Sequence, residues 1–307
     1  MEYVFRAFDI TKRYKRHMAL NGVTMSIQKG DIYGFVGENG SGKTTIIRVI
    51  TGLIFPESGS FELFGASSNS PEILEARKNL GAIVESPSIY LNMSAYDSLK
   101  MQADILGVTD EEKIKEVLSL VGLSYLENDT KKAGDFSLGM RQRLGIAMAL
   151  LGDPELLILD EPMNGLDPAG IVEIRELILK LNKERGITFL ISSHILTELS
   201  LVATRYGIIS KGKIIKEITY DELQNECKHY TIIKSTSRGA LVSALSQTFD
   251  ADRIEPIDGG AIVYGDISLN DTLSALIEAG VTITAINTMS SSIEDYYLKV
   301  TGGDKND

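Results

Sequence analysis

The stretch GENGSGKTT sets Gly37 and Gly42 with four residues between them and follows at once with Lys43 and Thr44. It lies between a compact apolar run, IYGFVG, and the helically spaced TTIIRVITGL. Strand, glycine loop and helix in that order make a phosphate cradle, because the first amides of a helix have no intrahelical partner and the helix dipole favours an anion there. The spacing predicts that Gly37, Asn39, Gly40, Ser41 and Gly42 wrap the phosphates of a nucleoside triphosphate, with Thr45 beside them in the first helical turn. Lys43 would reach the β and γ oxygens, and Thr44 would offer its hydroxyl to Mg²⁺. Further on, LLILDEP closes a buried apolar strand with Asp160 and Glu161. At the carboxyl end of a parallel strand, Asp160 can hold the magnesium through water and Glu161 can act as general base on the attacking water. Alone, the same pair reads as solvated acids at a strand end; the phosphate loop turns it toward catalysis. A third stretch, DFSLGMRQRLG, places Ser137 and Gly139 ahead of an amphipathic segment, which makes a second anion cradle at a helix start.

Those residues need a scaffold that brings strand ends together. Residues 1–30 read as short strands, with VTMSI alternating before the turn QKGD. Residues 72–150 carry mostly helical patterns, so a helical insertion is expected at about 80–150; within it DEEKIKEVLSLVG has an acidic first turn and a closing glycine. From Glu155 the apolar strands LLILDEP and ITFLISS alternate with the helix GIVEIRELILKLNKE and end in the hairpin-like RYGIISKGKII. Continuous apolar strands between helices predict a largely parallel sheet covered on both faces, an α/β P-loop core. A polar stretch at TYDELQNECKH sets the boundary, so a domain over 1–218 is followed by a small C-terminal α/β domain over 219–307, with patterns YTIIKS, ALVSALSQ, AIVYG, TLSALIEAG, VTITAIN and SIEDYYLKV.

The formal charge of −11 is uneven: residues 1–218 carry 25 basic and 28 acidic side chains, residues 219–307 carry 6 and 14. Nucleic acid is thereby excluded as the main ligand, since phosphate backbones reward clustered Lys and Arg. No apolar run approaches the roughly 18 residues needed to span a bilayer. The opening MEYVFRAFDITKRYKRHM lacks the apolar core of a signal peptide, and the single cysteine, Cys227, has no intrachain partner. Together these predict a cytoplasmic protein whose contact with a membrane is peripheral.

Taken in order, GENGSGKT, FSLGMRQR, LLILDEP, NGLDP and SSH resemble the motifs of the ATP-binding subunit of ATP-binding-cassette transporters, over roughly residues 1–217. The resemblance implies ATP and Mg²⁺ as cofactors and a cycle of closure, hydrolysis and reopening. It implies that Ser137 and Gly139 contact the γ-phosphate of ATP held by an opposite subunit, in a homodimer or a heterodimer with a related ATPase. By the same resemblance Tyr14 stacks on adenine, although near a strand end it reads equally as a packing residue. His194 matches the switch histidine that contacts the γ-phosphate, whereas a lone histidine after a strand reads as a satisfied surface residue. Asp167 matches the loop along the dimer interface; without the family it is a helix N-terminal turn before Pro168. Two membrane-spanning permease subunits must be separate chains, with the ATPase peripheral on the inner face of the cell membrane and a coupling surface near Glu85 to Tyr96.

Three departures refine the expectation. Most members of the family carry Gln where GAIVESPSIY has Glu85, and here the signature reads SLGMR instead of Ser-Gly-Gly-Gln, with Met163 in place of the common Thr. A carboxylate there would repel the γ-phosphate unless magnesium or the attacking water lies between, so Glu85 is expected to help order the metal. Glu at that loop, with DEPMNGLDPAGI, resembles the bacitracin- and lantibiotic-immunity ATPases, which implies an ATP-hydrolysing subunit that powers export of antimicrobial peptides or related drugs. The alternatives are a soluble ATPase of the same type not coupled to transport, an ATPase of a polysaccharide or small-drug exporter, and a regulatory subunit that binds ATP without useful hydrolysis. A single cassette with no long coiled coil stands against the first, and Glu161 against the last. For 219–307 two uses stay open, packing and dimer contact or regulation by a sensed ligand.

Overall fold

Strand β1 (Tyr3–Tyr14) and strand β2 (His17–Gln28) are 12 residues each and pair antiparallel, with register shifts after Tyr3, Ala7, Ile10 and Lys12. The first thirty residues are therefore one long bulged pair and not several short strands: a bulge bends a strand and breaks its alternation without ending the ladder. Next come β3 (Ile32–Val36), buried at every residue, and helix α1 (Lys43–Ile50). Strand β4 (Ser58–Leu63) returns to pair with β1, and β5 (Ala66–Ser67) with β4, giving a four-stranded antiparallel sheet in the order β2-β1-β4-β5. The computed structural model describes residues 2–227, 229–290 and 293–302.

The helical block begins later than position 80. After α2 (Ile73–Ala76), the residues LGAI form strand β6 (Leu80–Ile83), which pairs in parallel with the core sheet. A run of four apolar residues is too short to show whether its period is two or 3.6, so sequence pattern alone cannot separate strand from helix there. The block proper consists of α3 (Ala95–Leu106), α4 (Glu111–Leu120) and α5 (Leu138–Leu150). Ser94 and Asp97 close a reciprocal capping box on α3, and Asp110 caps α4 through the amide of Glu112.

Strand β7 (Leu156–Asp160), helix α6 (Pro168–Arg185), strand β8 (Thr188–Ser193), the short α7 (Leu196–Leu199) and the hairpin β9 (Arg205–Ser210) and β10 (Lys213–Thr219) complete the first unit. The sheet runs β10-β9-β3-β8-β7-β6 and is parallel except at its β9–β10 edge. Strands β3, β7 and β8 are buried at every position, the physical reason their sequences show no polar alternation. One apolar cluster joins Phe5, Leu20 and Phe61 of the first sheet to Ile46 and Ile50 of α1 and to Leu156 and Leu190 of the second. Each such side chain stabilises by about 1.5–3 kcal/mol when fully buried, so the four buried apolar residues of α1 hold its N-terminus at the end of β3.

The chain divides into two compact units, 1–220 and 221–307, and α8 (Tyr220–Glu226) crosses the division. The second unit contains β11 (His229–Ser235), α9 (Arg238–Leu245), β12 (Ile254–Ile257), β13 (Gly260–Tyr264), α10 (Leu269–Glu278), β14 (Ile283–Ser290) and α11 (Ile293–Thr301). Its sheet is antiparallel, ordered β12-β13-β11-β14, the split β-α-β arrangement in which each crossover skips one strand. Ile233, Leu241, Leu245, Val263 and Leu276 give it an apolar core of its own. Among the described residues no helix is long and apolar enough to cross a membrane.

Candidate active site

The register of the parallel sheet aligns three strand ends. Ser192 of β8 lies opposite both Phe35 of β3 and Asp160 of β7, and Ser193 lies opposite Val36. Neighbouring strands are about 4.8 Å apart, so the glycine loop after β3, the acidic pair ending β7 and His194 after β8 emerge side by side. The loop turns into α1 at Gly42, whose φ of 115° only glycine adopts readily and whose missing Cβ would sit 2.6 Å from the Ala19 carbonyl oxygen. Gly40 is also left-handed, at φ 80°, with no atom within 4 Å of its Cβ position. The first amides of α1, at Lys43, Thr44 and Thr45, have no intrahelical acceptor and open toward that space. Asn39 is exposed, while Gly37 and Ser41 are buried.

Lys43 is only 5% exposed. Its ammonium donates to the carbonyls of Gly37 at 2.6 Å and Glu38 at 3.2 Å and faces Glu161 Oε1 at 3.4 Å. The second carboxylate oxygen of Glu161 meets His194 Nδ1 at 2.8 Å. Glu161 has a φ of 50°, a conformation costing about 1–2 kcal/mol for a residue with a Cβ. Its amide donates to Ser192 Oγ at 2.9 Å and to the Ser192 carbonyl at 3.2 Å; these bonds hold the turn that sends the carboxylate back toward Lys43 and His194. Ser192 also donates its hydroxyl proton to Asp160 Oδ1. It is the residue that sequence reasoning missed: it stood in the SSH motif, with no signal that its hydroxyl would tie the two acids together.

Asp160 is 2% exposed, and its Oδ2 is buried with no protein partner. A buried carboxylate oxygen left unpaired is costly unless a cation meets it, and a carboxylate and a hydroxyl are the hard oxygen donors that Mg²⁺ takes. Asp160 and Thr44 therefore fit a magnesium ion. Glu198, absent from the sequence expectation, lines a small cavity with Glu161 and His194; burial raises its carboxyl above the ordinary value, with the charge of His194 opposing and that of Glu161 adding.

The remaining expected residues lie outside this cluster. Tyr14, at the turn end of the β1–β2 hairpin opposite His17, is 40% exposed, with the Lys12 ammonium 5.9 Å from its ring centre and anchored on the Phe55 carbonyl at 2.7 Å. Ser137 is the N-cap of α5, its hydroxyl accepting from the Met140 amide at 3.2 Å, and Gly139 lies in the first turn with no atom nearer than 3.9 Å to its Cβ position. Asp167 caps α6 through the amide of Gly170 at 3.1 Å. Glu85 is paired with Arg48 of α1 and not with Asp160, and its side chain is 61% exposed.

Residues 20–164 match the family described as ABC transporter. The bacitracin transport ATP-binding protein BcrA of Bacillus licheniformis is 44% identical over 99% of both chains. The lantibiotic transport ATP-binding protein SrtF of Streptococcus pyogenes is 45% identical over 71% of this chain and 91% of its own. Among solved structures, cbiO1 of Clostridium perfringens, part of the ABC transporter complex cbiONQ, is similar with a TM-score of 0.66 and 27% identity, covering 74% of this chain and 92% of that one.

Proposed function

This chain belongs to the ABC transporter family as an ATP-hydrolysing subunit, and on that premise we propose that two copies close over bound ATP to power export of antimicrobial peptides of the bacitracin and lantibiotic kind. The observation that carries the reading is the convergence of Lys43, Glu161 and His194, with the free oxygen of Asp160 alongside. The amides of the glycine loop and the Lys43 ammonium bind the β- and γ-phosphates, a role that requires Lys43 to leave Glu161. Once released, the Glu161 carboxylate is free to accept the proton of the attacking water, and His194 keeps it oriented through the bond at Nδ1. Thr44 and Asp160 would hold the magnesium ion, which supplies charge neutralisation at the phosphates. Tyr14 offers its ring to the base.

Ser137 and Gly139 are the groups a second subunit would contribute, since both lie at a helix start and neither shares a bond with the Lys43 cluster. Two separate permease subunits would dock beside Glu85 to Tyr96. The exposed Tyr90 and Leu91 and a cleft of about 380 Å³ lined by Leu80, Ser86, Gln102, Leu106 and Met148 support that placement. The assembly then sits on the cytoplasmic face of the cell membrane. The test is reconstitution with the membrane subunits in proteoliposomes: bacitracin or a lantibiotic should raise ATP turnover and be carried across the bilayer. Intact basal turnover with neither effect overturns the export reading.

A further inference from the structure

Glu85 lies in the segment that joins β6 to α3, and its backbone has a φ of 65°. The Ser86 amide donates to the Val84 carbonyl at 2.8 Å, which makes Glu85 the apex of a γ-turn of the positive-φ form, rare and strained for a residue with a Cβ. Such a turn persists only where its surroundings hold it, and the Glu85 side chain at its apex is paired with the Arg48 guanidinium. Arg48 lies four residues after Thr44 on α1, so the two share a helix face about 6 Å apart along the axis. A carboxylate that faces bound triphosphate repels it unless a cation stands between.

We propose that Arg48 is a positioning residue for Glu85: its ion pair pins the strained turn and neutralises the carboxylate beside the triphosphate. The second half of this proposal rests on the nucleotide site described above; the first does not. The side chains of the pair are 36% and 61% exposed, and an ion pair so solvated is worth up to about fivefold in an equilibrium. That is enough to tune nucleotide affinity and weak enough to yield when the segment moves.

The experiment compares full-length wild type, Arg48→Gln, Glu85→Gln and the double variant. Amide hydrogen exchange over residues 84–86, measured without nucleotide, should speed up about two- to fivefold in Arg48→Gln, and Arg48→Lys should restore part of the protection. Equilibrium binding of ATP with magnesium, measured with Glu161→Gln added to each protein to block hydrolysis, should weaken about two- to fivefold in Arg48→Gln and return toward wild type in the double variant. Unchanged exchange, or the same loss of affinity whether residue 85 is Glu or Gln, overturns the proposal. If the protein carrying only Glu161→Gln fails to bind ATP, the nucleotide-site reading falls, and the exchange measurement still decides whether Arg48 holds the turn.

Discussion

Lys43 and Asp160 are 5% and 2% exposed and meet partners distant in sequence, Glu161 and Ser192, whereas Ser137 is exposed and its hydroxyl reaches no further than the Met140 amide three residues away. Around the glycine loop the charged groups are engaged by the same chain, Lys43 with two carbonyls and Glu161, Glu161 with His194, Asp160 with Ser192, while Ser41 Oγ and Asp160 Oδ2 are buried with no hydrogen-bond partner. At the start of α5 the side-chain bonds are local: the Ser137 cap, and the Arg141 guanidinium donating to the Phe136 carbonyl at 2.6 Å. The first region is tied together by bonds between residues distant in sequence; the second is an exposed helix start whose side-chain bonds reach no further than five residues. A site split in this way is what a subunit needs if hydrolysis is to wait for a second copy.

The largest expected effect breaks the first region. Glu161→Gln should lower ATP turnover by about 10²- to 10⁴-fold while ATP binding persists, measured by phosphate release and by equilibrium binding; equal turnover in the two proteins removes Glu161 as the base. Next comes the second region. Ser137→Ala combined with Gly139→Asp should cost about 10²-fold in turnover with ATP affinity of the monomer unchanged, and light scattering should show the nucleotide-dependent dimer lost. A persistent dimer with full turnover would mean that the α5 start plays no part.

The same substitution in both regions sharpens the contrast further. Gly42→Ala places a Cβ 2.6 Å from the Ala19 carbonyl at a φ of 115° and should destabilise by about 1–3 kcal/mol. Gly139→Ala, with its nearest neighbour at 3.9 Å inside a helix, should instead stabilise by up to about 1 kcal/mol. Denaturant midpoints of the two variants decide it. The smallest effect concerns Glu198. Burial raises its folded pKa above the unfolded one, so its ionisation costs the folded state nothing at low pH and progressively more as pH rises from the ordinary carboxylate value through the folded one. Glu198→Gln should therefore show a higher denaturation midpoint than wild type at pH 7, with the gap closing near pH 4; a gap independent of pH would assign the effect to packing.

The glycine loop and the Asp160–Glu161 pair were legible because their chemistry depends on local spacing: a strand, a turn and a helix start are all encoded within a few residues. Strand β6 was not, since four apolar residues carry no period, and the long β1–β2 pair was hidden by its bulges. Ser192 was quoted within a motif, yet nothing in the chain order says that its hydroxyl bridges Asp160 and Glu161, 32 and 31 residues away. Arg48 and Glu85 are likewise separated by 37 positions, and the expectation that Glu85 meets the metal took no account of a cation on α1.

What the amino-acid sequence settled by itself is the phosphate chemistry and the element types around it, because backbone conformation, helix starts and apolar runs are local properties. Only the tertiary structure decided which side chains share protons and charges: the register of β3, β7 and β8 brings Lys43, Glu161 and His194 together, and the path between β6 and α3 gives Glu85 to Arg48. Pairing across a sheet depends on where distant strands align, a choice made by burial of the whole core and not by any one segment.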